Sequence, residues 1–311
     1  MRFLVNLARI RRIEFLVVEL TIFSIPILVS ISSLQQVQTW VCAEAFLLFF
    51  VLYALGDGIN CLADRDLDAT YKTHLSRAVY ELGVPFVKLL TVLEIIVALG
   101  LAVHLSWLTD KWIFLGLVVL GIFLGVGYSI RPFHFKSRGV GHLVCLWLLL
   151  YFVPMLYASL IVTDRLTMAV AALAASYATV EMGVILVNTA EDYPEDLEAG
   201  VRTTVVALGL RRGITLASWM VAVGGACFVA TFLVFYLRAG ISYPSYLAIA
   251  LLAAVCALIA RTIWRLAKLT SSHAAVESIR EVKRFGKQVP IWATAIGWGG
   301  VLCGAVLVTA R

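Results

Sequence analysis

The sequence predicts an all-α membrane protein: nine transmembrane helices in one bundle with cytoplasmic capping loops, residues 1–311 forming a single domain. Three observations predict it. The chain is 62% hydrophobic and only 14% charged, with a mean hydropathy of +0.96, a balance that ordinary soluble domains lack. Nine apolar stretches each approach the roughly 20 residues that a helix needs to cross ~30 Å of hydrocarbon. The Lys and Arg residues between them alternate from one side to the other.

The spans fall at 14–33, 40–62, 84–106, 111–129, 141–162, 166–189, 214–237, 245–266 and 289–309. The first follows Arg2, Arg9, Arg11 and Arg12. It is too long for a signal-peptide core and lacks an obvious cleavage site, so it reads as a retained helix. With the N-terminus inside, twenty Lys and Arg fall in inside segments and four (Lys111, Arg165, Arg238, Arg311) fall outside. Lys88 lies within the third span. This asymmetry puts the N-terminus in the cytoplasm and the C-terminus outside. The net charge of +6 belongs to cytoplasmic loops, and there is no basic domain to bind nucleic acid. The six cysteines are scattered, with no C-x-x-C pair, and read as small apolar packing residues.

The acids are unevenly placed. Asp57, Asp64, Asp66 and Asp68 follow the second span, and Glu191, Asp192, Glu195, Asp196 and Glu198 follow the sixth, nine of the chain's 19 acids. The groups share a pattern, Asn60-x-x-x-Asp64-x-x-x-Asp68 and Asn188-x-x-x-Asp192-x-x-x-Asp196, offset by 128 residues. Each ends the second helix of a four-helix unit, spans 1–4 and 5–8. This points to two pseudo-repeated four-helix units plus one helix.

Residues four apart on a helix share a face, so each motif makes a polar stripe. Like charges at that spacing repel, and a helix C-terminus disfavours anions. A cation relieves both penalties, and hard carboxylate oxygens suit Mg²⁺, which takes one or two carboxylates plus substrate phosphates. Solvated helix ends are the bland alternative. They suit one such stripe better than two matched stripes on one side of a membrane.

Metal-bearing acids imply an anionic substrate. Nearby loops offer Lys72 and Arg77 after the first stripe, Arg202 after the second, and Arg131 after Tyr128-Ser129. Arg forks match phosphate oxygens and Lys gives a point charge. Lys136, Arg211 and Arg212 read as topology charges only. Glu181 lies within the sixth span, seven residues before Asn188 and nearly on its face. A carboxylate there costs roughly 2.5–3.5 kcal/mol and usually faces a cavity. It is a candidate to bind or deprotonate an acceptor or to steady a cation. A protonated glutamate bonded between helices is the other reading. Residues 271–287 place Val276, Ile279, Val282 and Phe285 at helical spacing among charges. They read as an amphipathic helix on the cytoplasmic interface, either a cap or a linker.

N-C-L-A-D-R-D-L-D (60–68) and N-T-A-E-D-Y-P-E-D (188–196) resemble the two aspartate-rich motifs of the UbiA-type intramembrane prenyltransferases. G-V-G-Y-S-I-R-P-F-H-F-K-S-R-G (125–139) resembles the family's Tyr-Ser stretch, and G-V-R-T (200–203) its Gly…Arg-Thr. The resemblance implies a nine-helix bundle around an apolar cavity, capped at the cytoplasmic face. It implies Mg²⁺-dependent transfer of an isoprenyl group from an allylic prenyl diphosphate to a lipophilic or aromatic acceptor. By position, Asp64, Asp68, Asp192 and Asp196 would hold two Mg²⁺ ions. Asn60, Asn188, Tyr128 and Ser129 would touch diphosphate or metal, and Arg77 and Arg202 would neutralise the leaving group. Residues 72–79 read K-T-H-L-S-R-A-V where many members have an Arg-Pro-Leu-like run. Some relatives cyclise the prenyl chain with no acceptor, so a membrane terpene cyclase is the alternative. A CDP-alcohol phosphotransferase is excluded because Asp57-Gly58 lacks the following Ala-Arg. A transporter fits poorly, since its acids would lie near the midplane.

Overall fold

The computed structural model describes residues 2–272 and 275–311. Every regular element among them is helical. In chain order they are α1 (Arg2–Ile10), α2 (Leu16–Ser30), α3 (Thr39–Tyr71), α4 (Thr73–Leu82), α5 (Val84–Thr109) and α6 (Ile113–Ser129). Then α7 (Val140–Leu146) runs through a π-helical stretch, Trp147–Phe152, into α8 (Val153–Val162). The rest are α9 (Met168–Glu191), α10 (Tyr193–Glu198), α11 (Thr204–Leu208), α12 (Leu210–Ala239), α13 (Tyr243–Ser272), α14 (Ala275–Gly286) and α15 (Val289–Thr309).

Eight helical runs among the described residues are long and apolar enough to cross a bilayer. The predicted span at 111–129 appears as α6, an apolar helix of 17 residues, about 25 Å long at 1.5 Å per residue. On α5, Leu89, Val92, Leu93, Ile96 and Val97 are all exposed. Such a surface requires lipid to cover it, and the chain is an integral, multi-pass membrane protein.

The chain forms two compact units, one of Met1–Leu16 with Gln38–Lys136, the other of Val17–Val37 with Ser137–Arg311. This division differs from a four-plus-four repeat, because the first span groups with the second unit.

In the first unit, α3 carries the first acidic motif and continues well past the apolar run, to Tyr71. The motif is therefore helical throughout. Beneath it Ile10, Cys61, Leu75, Ala78, Val79 and Val87 form one apolar core, which joins α1, α3, α4 and the start of α5. Polar bonds reinforce that junction: Asn6 Nδ2 donates to Glu81 Oε2 at 2.8 Å, and Tyr80 donates to Asp66. The middle acid of the first motif thus ties the capping helix α4 to α3. Arg11 is buried, with Nη1 donating to the Ala54 carbonyl at 2.9 Å and Nη2 2.5 Å from Glu94 Oε1.

In the second unit, α9 and α12 pack backbone to backbone. A Cβ on Gly183 would meet the Ala217 carbonyl at 2.7 Å, and one on Gly224 would meet the Val180 nitrogen at 2.6 Å. Small residues permit this approach where no hydrophobic effect drives helices together. The predicted amphipathic helix is present as α14, while His273 and Ala274 lie outside the described residues. Its buried face is Ser278, Val282 and Gly286; Val276 points outward at 73% exposure. It meets α10 and α9: Lys283 Nζ reaches Glu195 Oε1 on α10 at 3.2 Å, and a Cβ on Gly286 would collide with the Glu191 carboxylate at the end of α9. α14 thus lies against the second motif. Of the six cysteines, Cys61, Cys145, Cys256 and Cys303 are buried.

Candidate active site

The first stripe forms as its spacing predicts. Asn60, Asp64 and Asp68 follow one another up α3, with Asp68 buried and the other two half-buried. Asn60 Nδ2 donates to Asp64 Oδ2 at 3.0 Å and approaches Ser129 Oγ, at the end of α6, at 3.5 Å. This brings Ser129 to the stripe. Tyr128 is half-buried beside it in sequence, and Arg131 is exposed on the following loop. Lys72 caps α3, its backbone N–H bonded to the Asp68 carbonyl at 2.9 Å.

Two basic residues change places relative to the sequence reading. Arg77 lies on α4, largely exposed, and its Nε donates to Glu81 Oε1 at 2.6 Å. The bond from Asn6, and then this one, hold the Glu81 carboxyl below its usual range. Arg77 is therefore occupied by the capping helix and not by the acids. Lys136, read as a topology charge, instead sets its Nζ 2.5 Å from Asp64 Oδ2, with both side chains mostly buried. The Asp64 carboxylate has thus drawn in an amide and an ammonium. Arg12, in a left-handed turn at φ 42°, lies within electrostatic reach of Asp57, Cys61 and Asp68.

The second motif departs from a single helical stripe. α9 ends at Glu191, Asp192 is the joint (φ −85°, ψ 3°), and α10 starts at Tyr193. Pro194 explains the break: it has no N–H and its ring clashes with a preceding helical turn, so it belongs in the first turn of a new helix. Asp196 N–H still bonds to the Asp192 carbonyl at 2.8 Å, so the two acids keep a helix-like separation. Asp196 is buried, Asp192 half-buried and Asn188 exposed. Arg202 follows on the strap between α10 and α11, its side chain exposed.

Glu181 is fully buried, and neither carboxylate oxygen makes a hydrogen bond of good geometry. Tyr177, one turn earlier, is a polar neighbour. Thr21 Oγ1 donates to the Val18 carbonyl at 2.6 Å and lies 2.9 Å from the Tyr177 hydroxyl.

Among the described residues no three His, Cys, Asp or Glu side chains cluster closely enough to hold a metal alone. Mg²⁺ does not need such a cage, since one or two carboxylates, phosphate oxygens and waters complete its shell. Asp64, already facing a cation at 2.5 Å, with Asp68 one turn on, supplies hard oxygen donors of the right kind. The residues present fit a magnesium–diphosphate group.

Apolar helices that end in two carboxylate-rich motifs make this a multi-pass membrane protein with acids gathered at helix ends. Residues 21–279 match the UbiA prenyltransferase family, and the chain belongs to that family. No curated protein matches the sequence. Among solved structures, one concerning digeranylgeranylglyceryl phosphate synthase in membranes is similar at 16% identity and a TM-score of 0.65, covering 98% of this chain and 100% of the other. A UbiA homologue from Archaeoglobus fulgidus bound to DMAPP and Mg²⁺ is similar at 16% identity and a TM-score of 0.63, covering 94% and 98%. The same organism's homologue bound to GPP and Mg²⁺ gives 17% and 0.60, covering 95% and 99%. At these identities the likeness establishes a shared fold.

Proposed function

We propose that this chain transfers an isoprenyl group from an allylic prenyl diphosphate to a hydrophobic acceptor within the membrane. Family membership supports prenyl transfer, and one observation carries the site: Asp64, in the first aspartate motif, already gathers Asn60 and Lys136 around one carboxylate. Asp64 and Asp68 of the first motif and Asp192 and Asp196 of the second would hold Mg²⁺, two ions in this reading. A bound Mg²⁺ supplies Lewis-acid stabilisation of the departing diphosphate. Asn60, Asn188, Tyr128 and Ser129 orient the phosphate oxygens. Arg202 and Arg131, with Lys72 and Lys136, stabilise the charge that grows as the allylic C–O bond breaks. Arg77 acts at one remove, by holding α4. The apolar walls exclude water from the allylic cation. The acceptor then forms the new bond to carbon and gives up a proton, with Glu181 placed to orient it.

The decisive experiment gives the purified protein geranylgeranyl diphosphate and Mg²⁺ with no acceptor, followed by hexane extraction and mass spectrometry. Slow hydrolysis to the prenyl alcohol is expected. A cyclic hydrocarbon formed at a turnover rate would replace the transferase by a terpene cyclase and keep the diphosphate site.

The same reading has nine crossings, α6 being one, and both acidic motifs at the cytoplasmic face. A thiol introduced by Thr70→Cys should react with an impermeant maleimide, above the parent's own labelling, only from the cytoplasmic side. Labelling from outside would invert the orientation.

A further inference from the structure

The geometry points to His142 and Thr204 as positioning residues for Arg202, fixing the backbone from which its guanidinium reaches the diphosphate. This rests on the role of Arg202 proposed above.

Arg202 sits on a short strap between α10 and α11, where no helix holds it. Its backbone is nevertheless clamped at both polar groups. The Arg202 N–H donates to Ser137 Oγ at 2.9 Å, and the Arg202 carbonyl accepts from the Gly139 N–H at 2.8 Å. The clamp is therefore residues 137–139, more than sixty positions away in sequence. One further bond ties the strap to the second motif, Val201 N–H to the Asp196 carbonyl at 2.8 Å.

What holds the clamp is a buried relay. Thr204 Oγ1 donates to the Gly139 carbonyl at 2.8 Å. A hydroxyl has one proton, so toward His142 Nδ1, 3.0 Å away, Thr204 can only accept. His142 must then carry its proton on Nδ1 and donate it, an assignment made by the network. His142 is 2% exposed and Thr204 is fully buried, so water does not substitute for either bond. Gly139 makes the turn possible. Its φ of 57° and ψ of −114° lie where an L side chain is strained, and a Cβ there would press on Ala207 at 3.3 Å. In that conformation its N–H serves Arg202 while its carbonyl serves Thr204.

The chain of dependence runs His142 to Thr204 to Gly139 to Arg202, and only the last meets substrate. A charged fork stabilises a leaving diphosphate only if it is held where the charge appears, and a displacement of about 1 Å can cost roughly a hundredfold. Sequence reading passed over His142 and Thr204 because neither lies in a charged motif.

The test is binding of geranylgeranyl thiolodiphosphate, which resists ionisation, by calorimetry in detergent with Mg²⁺. Arg202→Ala, His142→Phe and Thr204→Val should each raise Kd by about tenfold or more. Thr204→Ser, which keeps the hydroxyl, should bind like the parent. Ser137→Ala, which removes only the acceptor for the Arg202 N–H, should raise Kd without lowering the unfolding temperature, and so guards against variants that misfold. The discriminating measurement is the double variant. In the Arg202→Ala background, Thr204→Val should add no further loss, because its effect passes through Arg202. Additive losses, or parent-like binding by Thr204→Val and Ser137→Ala, would overturn the inference while leaving Arg202 in its role. Parent-like binding by Arg202→Ala would remove that role, and the positioning role with it.

Discussion

Replacing Asp64 or Asp192 by alanine should each lower the rate of prenyl diphosphate consumption by about three orders of magnitude, while the helical signal in detergent stays that of the parent. The size follows from what the carboxylates face. Loss of a single preorganised group that stabilises departing charge costs roughly 10²–10³-fold, and removing a metal-bearing carboxylate removes more than one such interaction. The fold should survive because neither residue fills the core: Asp64 keeps 17% of its side chain exposed, and Asp192 is a half-buried joint between α9 and α10. EDTA should reproduce the loss in the parent, and Mg²⁺ should restore it. Full turnover in chelator would remove the metal from the reading. A near-parental rate in either variant would move the site elsewhere, and Asp66→Ala provides the contrast. Asp66 is bonded to Tyr80 and paired with Arg65 at 3.2 Å, so its removal should loosen α4 and leave chemistry largely intact.

That contrast marks where sequence reading succeeds and where it stops. The spans were legible because twenty apolar residues have few alternatives in water. The first stripe was legible because a four-residue spacing has one meaning on a helix, and α3 is helical through Tyr71. The second stripe is not continuous, and the sequence carries the signal. Pro194 lies between Asp192 and Asp196, and proline opens helices more readily than it continues them. Lys136 was invisible for a different reason. Every cytoplasmic loop of such a protein carries Lys and Arg, so composition cannot single out the one that meets Asp64 from 72 positions away. Arg77 shows the converse, since proximity in sequence to the motif did not stop Glu81, four residues on, from taking its guanidinium. Pairings across helices are set by tertiary packing, which no periodicity encodes.

The same limit hid the Arg11–Glu94 pair, and its removal should have the largest effect on stability. Arg11 reads as one of four N-terminal topology charges and Glu94 lies in the third span, yet they meet with only 8% and 15% of their side chains exposed. Nη2 lies 2.5 Å from Oε1, while Glu94 Oε2 is buried without a hydrogen-bond partner. Nη1 meanwhile donates to the Ala54 carbonyl on α3, so one guanidinium joins the N-terminal segment, α3 and α5. Removing one partner of a buried pair strands the other charge and costs about 3–5 kcal/mol, whereas replacing both by apolar groups is often neutral. Arg11→Met should therefore lower the unfolding temperature in detergent sharply, and Arg11→Met with Glu94→Leu should recover most of it. Gly58 gives a second reading of the same contact. A Cβ there would lie 1.8 Å from Arg11 Nη1, and the guanidinium, held at Ala54 and Glu94, cannot simply swing aside. Gly58→Ala should be damaging in the parent and mild in the Arg11→Ala background. Equal losses in both backgrounds, or a double apolar variant no more stable than Arg11→Met, would show that the pair does not bind α5 to the helix that carries the first aspartate motif.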